Sequence, residues 1–388
     1  MNYKLVNEGN TKIFVSEDNF FTKDPRSSND IFYNKNMELN RDITISIINS
    51  YKNILQKYKG ISEENINYID AFTASGIRGI RASKELGIKS ILNDSKEELI
   101  KHIKRNVIYN NVEDLTEIKC NDANILLSNY KASIVDIDPF GSPSKYMSSA
   151  IQSSNNLLNI TATDTASLCG AHFLSGVRKY LSIPQNCEFH SELGLRVLLG
   201  FICRLMAIYN KSMNVLYSHV TRHYLRCYIE VNYGKKKINH TLNNIGYVIF
   251  CKKCGNIETK YGYIISTDTK CKCGNLNTVS GPLWLGSLIQ KDFCKLVIKE
   301  CQNLRLNKKK EMISLIESCI NEIECPFYYN SHSICKQLKI SALNIDEIIE
   351  NLKMNNYNAS RTHMMGTGIK TNASIDIIKD IFIKISKK

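Results

Sequence analysis

Over the first two hundred residues, short apolar runs alternate with helix-length amphipathic stretches, and this alternation restricts the chain to a mostly parallel sheet flanked by helices. Strands are expected at residues 66–72 (INYIDAF), 90–93 (SILN), 116–120, 133–137 (SIVDI) and 157–163 (LLNITAT). Helices are expected between them at 76–86, 96–110 and 143–153, the last with Ser142 as N-cap and Pro143 in the first turn, where a missing amide hydrogen costs nothing. The fold class predicted is α/β, a doubly wound, Rossmann-like sheet.

Such sheets bind ligands outside the carboxyl ends of their strands, at the topological switch. The residues that follow each expected strand are therefore the informative ones. After the first come Asp70 and the small-residue turn TASGIRG, with Ser75, Gly76 and Gly79. After the second comes Asp94, 18 residues beyond Gly76, near the spacing at which an acid binds ribose hydroxyls. The third is followed by Asn121, Asp122 and Ala123, and the fourth ends in Asp136, Asp138, Pro139, Phe140 and Gly141. A nicotinamide enzyme is expected to carry GxGxxG at the first turn, and here Ala74 stands at its first small position. The series of acidic strand ends fits an S-adenosylmethionine pocket, with Asp94 at the ribose and Asp122 and Ala123 at the adenine. Each aspartate alone is equally compatible with a solvated cap or turn.

The segment DIDPFG (136–141) resembles the Asp/Asn-Pro-Pro-aromatic signature of amino methyltransferases. An exocyclic amine on a nucleobase is a poor nucleophile, because its lone pair is delocalised into the ring, and it must be helped to pyramidalise. Asp138 can accept a hydrogen bond from the amine with the Pro139 carbonyl as a second acceptor, while Phe140 stacks on an extruded base. A carboxylate there also assists proton loss and offsets developing positive charge. The bland alternative is a tight turn ending a buried strand.

Charge points to a polyanionic partner. The chain of 388 residues carries 51 Lys and Arg against 37 Asp and Glu, a formal +14, which favours phosphate neutralisation and counterion release. From Gly281 onward there are 16 basic against 11 acidic residues, so no single basic tail explains the surplus. Fourteen cysteines, with no secretory signal evident at the N-terminus, suggest a reducing, cytoplasmic compartment and thiols rather than disulfides. Four of them cluster as CKKCG (Cys251, Cys254) and CKCG (Cys271, Cys273), separated by 16 residues. That is the ligand set of a closed structural zinc site, although the second pair has one intervening residue where two are usual. No apolar stretch reaches the roughly 18–20 residues of a membrane helix.

Several motifs taken together make the resemblance specific. FYNKNMELNRD (32–42), DPFGSPSKYMSSAI, TATDTASLCG (161–170), GPLWLG (281–286) and SRTHMMGTGIKTNAS (360–374) resemble the tRNA guanine N2-dimethyltransferases of the archaeal type that modify position 26, over nearly the whole chain. The resemblance implies a class I S-adenosylmethionine-dependent methyltransferase domain over 1–245, a zinc-knuckle segment over 246–280 and a smaller tRNA-binding domain over 281–388. It implies S-adenosylmethionine as methyl donor, tRNA as partner and two successive transfers to one guanine N2, with structural zinc and no obligatory protein partner. Carried over by position, Arg41 and Arg78 would bind the cofactor with Asp94, Asp122 and Ala123. Phe32 and Phe140 would sandwich the guanine, with Asp138 and Pro139 facing N2. Arg41 and Arg78 could instead be ordinary arginines, and Phe32 a core aromatic. Asp164 is expected to orient the DPFG turn rather than touch substrate.

In the last hundred residues, 331–338 reads as a short helix. Ile345, Ile348, Ile349 and Leu352 form one face of a second helix, and a turn-rich hairpin with Gly366 and Gly368 follows. A winged-helix-like α+β element is expected, with Arg361, His363 and Lys370 able to meet phosphates. Two other functions fit part of the pattern. One is an amino methyltransferase acting on another RNA or on DNA, and the other a catalytically silent, zinc-stabilised RNA-binding module.

Overall fold

The computed structural model describes residues 3–16 and 32–387. Strands β1 (Tyr3–Glu8) and β2 (Thr11–Ser16) pair as an antiparallel hairpin. The main sheet follows, with β3 (Asn67–Asp70), β4 (Lys89–Asn93), β5 (Thr116–Lys119), β6 (Ala132–Ile137), β7 (Ser154–Ala162), β8 (Lys211–Thr221) and β9 (Tyr224–Tyr233) in the order β5-β4-β3-β6-β7-β9-β8. Its first five strands in that order are mutually parallel. The chain winds outward from β3 to β5 and then returns to lay β6 beside β3, so the switch point lies at the carboxyl ends of β3 and β6.

By compactness the chain forms two units, the first comprising Met1–Thr161, Tyr228–Val231 and Gln290–Ile316 and the second Ala162–Cys227, Asn232–Ile289 and Glu317–Lys388. This grouping cuts the sequence differently from the linear segments 1–245, 246–280 and 281–388. In the first unit the helices include α1 (Glu38–Lys59), α2 (Ile77–Leu86), α3 (Glu97–Tyr109), α4 (Ala123–Asn129) and α5 (Met147–Ser153), with Lys291–Glu300 later in the chain. One side of its core joins Ile13 and Val15 of the hairpin to Ile77, Ile80, Leu92, Leu99 and Ile103. Gly87, in the left-handed conformation, ends α2 by returning its N–H to the last turn. The expected helix at 143–153 divides into a 3-10 turn at Ser144–Tyr146 and then α5. The Ser142 hydroxyl accepts the Ser144 N–H at 3.3 Å, so the expected cap is present on the tighter turn.

The second unit holds two small sheets. Strands β10 (Ile245–Phe250), β11 (Ile257–Tyr261) and β12 (Thr278–Trp284) run in the order β11-β10-β12, and β13 (Tyr329–Asn330), β14 (Ala359–Thr362) and β15 (Met365–Thr371) in the order β13-β15-β14. Helices Ser331–Leu338, Ile345–Met354 and Ile375–Ser386 pack on the latter. Ile348, Ile349 and Leu352 are buried there as their helical spacing requires, with Ile345 partly buried at the edge. Among the described residues no helix is long and apolar enough to cross a membrane.

Candidate active site and metal centre

At the carboxyl end of β3 the chain turns through Thr73, Ala74, Ser75 and Gly76 into α2. Ala74 and Gly76 both take positive φ, 48° and 84°, which lets the chain reverse tightly from β3 into α2 with no side chain larger than a methyl group at those two positions. Gly79 is small for a packing reason, since a Cβ there would sit 2.9 Å from the Leu92 side chain, closer than side chains pack. The turn is held from three sides. The Thr73 N–H donates to the Asn93 carbonyl at 2.8 Å, the Ala74 N–H donates to Asp94 Oδ2 at 3.1 Å, and Asn106 of α3 donates to the Ser75 carbonyl at 2.9 Å.

Asp94 thus braces the turn, and its other oxygen accepts the Lys96 N–H at 3.0 Å. Burial pushes its carboxyl above the ordinary range despite these amides. Asp122 is exposed and is the N-cap of α4, accepting the Asn124 N–H at 2.8 Å, with Ala123 buried beside it. Sequence reasoning missed Asn93. Its amide donates to the carbonyls of Ala71 and Asn121 while its oxygen accepts the Asn121 N–H, so it ties the ends of β3, β4 and β5 together. The signal available was an amide as the last residue of a strand, directly before the acid.

Beside this turn lies a knot of charge. Arg78, nearly buried, donates from Nη1 to Asn40 Oδ1 (2.9 Å) and Thr44 Oγ1 (3.1 Å) of α1, and from Nη2 to Asp138 Oδ2. Asp136 Oδ2 lies 3.6 Å from Nη1 and also accepts from Asn159 at 3.3 Å. Asp70 is the third carboxyl in the group, and burial raises it to about 7, with Arg78 pulling down and Asp136 and Asp138 pushing up. Three carboxyls therefore share one guanidinium. Arg78 links DPFG to the SGIRG turn, a connection that neither motif reveals alone. In the DPFG turn Pro139 is buried, Asp138 keeps 20% of its side-chain surface exposed and Phe140 keeps 55%. Phe32 meets Phe140 edge to face, centroids 4.7 Å apart and planes at 76°. The two rings sit at one place, as expected, but touch each other and leave no slot between them for a base.

Arg41, as buried as Arg78, belongs to a second network in the first unit. Its Nε and Nη2 grip Glu8 at 2.8 and 2.5 Å, Nη2 also donates to the Asn34 carbonyl, and its guanidinium lies over the Tyr33 ring at 5.0 Å. Arg81 joins Glu8, Asp42 and Glu85 in the same network. Although burial opposes ionisation of Glu8, the two guanidiniums hold its carboxyl below the ordinary range. Asp164, in the second unit, is bound by the Tyr180 hydroxyl at 2.7 Å and Lys179 at 3.0 Å.

The four cysteines of the knuckle motifs converge, with all four Sγ atoms within 4.8 Å of one another. Cys251 and Cys273 approach to 3.5 Å, as do Cys254 and Cys271. Tetrahedral thiolates at about 2.3 Å from zinc stand about 3.8 Å apart, so the donor set fits that ion. The short second pair fits for a simple reason. In the first loop Gly255 N–H bonds to the Cys251 carbonyl and Cys251 N–H to that of Asn256. In the second, Gly274 bonds to Cys271 and Cys271 to Asn275, the same turn with one residue removed. Backbone and side-chain bonds from Asn275 bring the Cys273 thiol down to about 6.

The comparisons with known proteins cover the chain almost completely. The family model for N2,N2-dimethylguanosine tRNA methyltransferase matches residues 9–383. A tRNA (guanine(26)-N(2))-dimethyltransferase of Methanosarcina mazei is 44% identical over 99% of both chains. One from Methanobrevibacter smithii is 41% identical over 99% of this chain and 98% of its own. The solved complex structure of Trm1 from Pyrococcus horikoshii with S-adenosyl-L-methionine superposes with a TM-score of 0.85 at 32% identity, covering 97% of this chain and 99% of that one. With the family model matched over residues 9–383 and relatives above 40% identity along nearly the whole length, the chain belongs to the N2,N2-dimethylguanosine tRNA methyltransferase family.

Proposed function

We propose that this protein methylates N2 of guanine 26 in tRNA, once and then again, using S-adenosylmethionine. The observation that carries the reading is Asp138, partly exposed at the switch point beside Phe140 and fixed by Arg78, in a chain of this family. The cofactor fits the same edge of the sheet: the tight turn at Ala74 and Gly76 puts no side chain larger than a methyl group at those positions, and Asp94, Asp122 and Ala123 follow the next two strands. Arg41 and Arg78 lie behind this edge in ion pairs and complete the set. The cofactor supplies an electrophilic methyl group on a sulfonium and leaves as a neutral thioether.

The chain's own residues do the rest. Phe140 offers an exposed ring face to an extruded guanine, and the base takes the place at which the Phe32 edge now meets that face. Asp138 and the Pro139 carbonyl accept the N2 hydrogens, turning the lone pair out of conjugation. As N2 gains positive character Asp138 offsets it, and the N2 proton is lost toward that carboxylate. N2-methylguanine retains one hydrogen, which suffices for the second transfer, and dimethylguanine retains none, so the sequence stops. Cys251, Cys254, Cys271 and Cys273 hold a structural zinc with no part in transfer.

The deciding experiment is mass mapping of a tRNA transcript incubated with the protein and isotopically labelled cofactor. Label on guanine 26, as mono- and then dimethylguanine, is the expected result. Label on another base or none at all would overturn the assignment.

A further inference from the structure

The second unit contains a cavity of about 380 Å³ beside the cysteine cluster, made entirely of residues outside the transfer site. Its apolar floor is Phe189, Phe250 and Ile334, all buried. Cys251 and Gly255 of the first knuckle form one wall. Asn186 and Gln337 are exposed at the rim and Asn256 half-buried within it. The side-chain amides of these three make no hydrogen bond among the described residues. Lys252 also lines the opening, with Glu188 the acid on the same rim.

These features select a class of ligand. The volume lies at the small end of the about 300–1,000 Å³ typical of ligand pockets, room for a single ring system and too little for a helix or a duplex. An apolar floor with amide donors and acceptors around it that no protein group engages suits a flat heterocycle with a polar edge, which can bond to them, better than an aliphatic chain, which cannot. A cation at the mouth suits a phosphate attached to that heterocycle. We propose that this cavity receives one unpaired base of the substrate tRNA, other than guanine 26, so that the second unit fixes the register in which guanine 26 is presented. Sequence-specific contacts to RNA are made largely to such unstacked bases. The inference rests on tRNA being the substrate.

The test uses the full-length, zinc-loaded protein and an unmodified tRNA transcript. Asn186, Asn256 and Gln337 are replaced together by Ala, and separately Gln337→Trp fills the cavity from an exposed helical position. Both variants should bind tRNA about 10- to 100-fold more weakly, the span expected for losing one stacked base, with zinc content, melting temperature, cofactor affinity and saturating single-turnover rate unchanged. An abasic scan of the transcript should find one position outside 26 whose loss weakens the wild type by the same factor and the triple variant no further. Wild-type affinity in both variants, or abasic effects that are equal in wild type and variant at every position, would overturn the proposal. Failure of the underlying substrate reading looks different: the wild type itself would leave guanine 26 unlabelled.

Discussion

Asp70→Asn should stabilise this protein, and by more in alkaline than in mildly acidic solution. The side chain is 1% exposed, and its carboxyl rises from 3.8 to about 7, chiefly through burial. Because the folded value lies above the unfolded one, the native state holds a proton between those limits that the unfolded state has lost. Wild-type stability therefore falls as pH rises across that window, and the loss is complete above it. At about 1.4 kcal/mol per unit, the ceiling is about 4 kcal/mol above pH 8 and about 1.6 kcal/mol at pH 5. Asn removes the penalty and keeps an acceptor for the Thr73 hydroxyl, which donates to Asp70 Oδ2 at 2.9 Å. The advantage of Asp70→Asn should thus grow by up to about 3 kcal/mol between pH 5 and pH 8.5. Urea denaturation followed by far-UV circular dichroism at both pH values measures it, and hydrogen exchange over residues 67–93 locates it. An advantage that is equal at the two pH values, or a variant less stable than wild type at the higher one, would refute the reasoning.

Asp138→Ala should lower the single-turnover rate by about 10²–10³ with tRNA affinity unchanged, because it removes a preorganised charge from the reacting amine while the phosphate contacts remain; a wild-type rate at saturating tRNA and cofactor would remove DPFG from the chemistry. Asp94→Ala should cost about 1–3 kcal/mol in cofactor binding, read by calorimetry, and Asp94→Asn less, since the amide oxygen can still accept the Ala74 N–H. Phe140→Ala should weaken capture of the base by about 1–3 kcal/mol, read as a rise in the tRNA concentration needed for half-maximal transfer. Chelation should release zinc and lower the melting temperature, since the ion's binding energy is folding energy, and elemental analysis finding no zinc in protein purified without chelator would end that assignment.

The parts of the site that are legible in the sequence are those set by local periodicity. Strand ends can be located to within a few residues from apolar runs, and a ligand edge follows from parallel topology. Hence the amino-acid pattern alone places Asp94, Asp122 and DPFG at one edge, and Ile348, Ile349 and Leu352 on one buried helical face. What is illegible depends on contacts between distant segments. Glu8 is an unremarkable acid in a polar stretch, yet it is fully buried beneath Arg41 and Arg81. Asn106 of α3 and Asn110 at its C-cap carry no signal in the sequence, but their amides bond the backbone of β2 at Phe14 and Lys12 like an added strand. The hairpin and α1, which close this side of the first unit, carry no motif beyond FYNKNMELNRD.

Those long-range contacts bear on what the two carried-over arginines can do. A guanidinium offers five N–H donors in a fixed plane, and Glu8 and the Asn34 carbonyl take the Nε and Nη2 side of Arg41. Nη1 has no hydrogen-bond partner among the described residues. Any contact between Arg41 and a cofactor must therefore run through Nη1, while Glu8 fixes the plane of the group in advance. Arg78 is committed differently, with Nη1 on Asn40 and Thr44 and Nη2 on Asp138. Freeing it to grip a ligand would leave Asp136 and Asp138 unneutralised at the switch point, which is expensive for charges so nearly buried. The two arginines are thus engaged differently: Arg41 keeps Nη1 without a hydrogen-bond partner among the described residues, and Arg78 ties the aspartate of DPFG to the turn after β3.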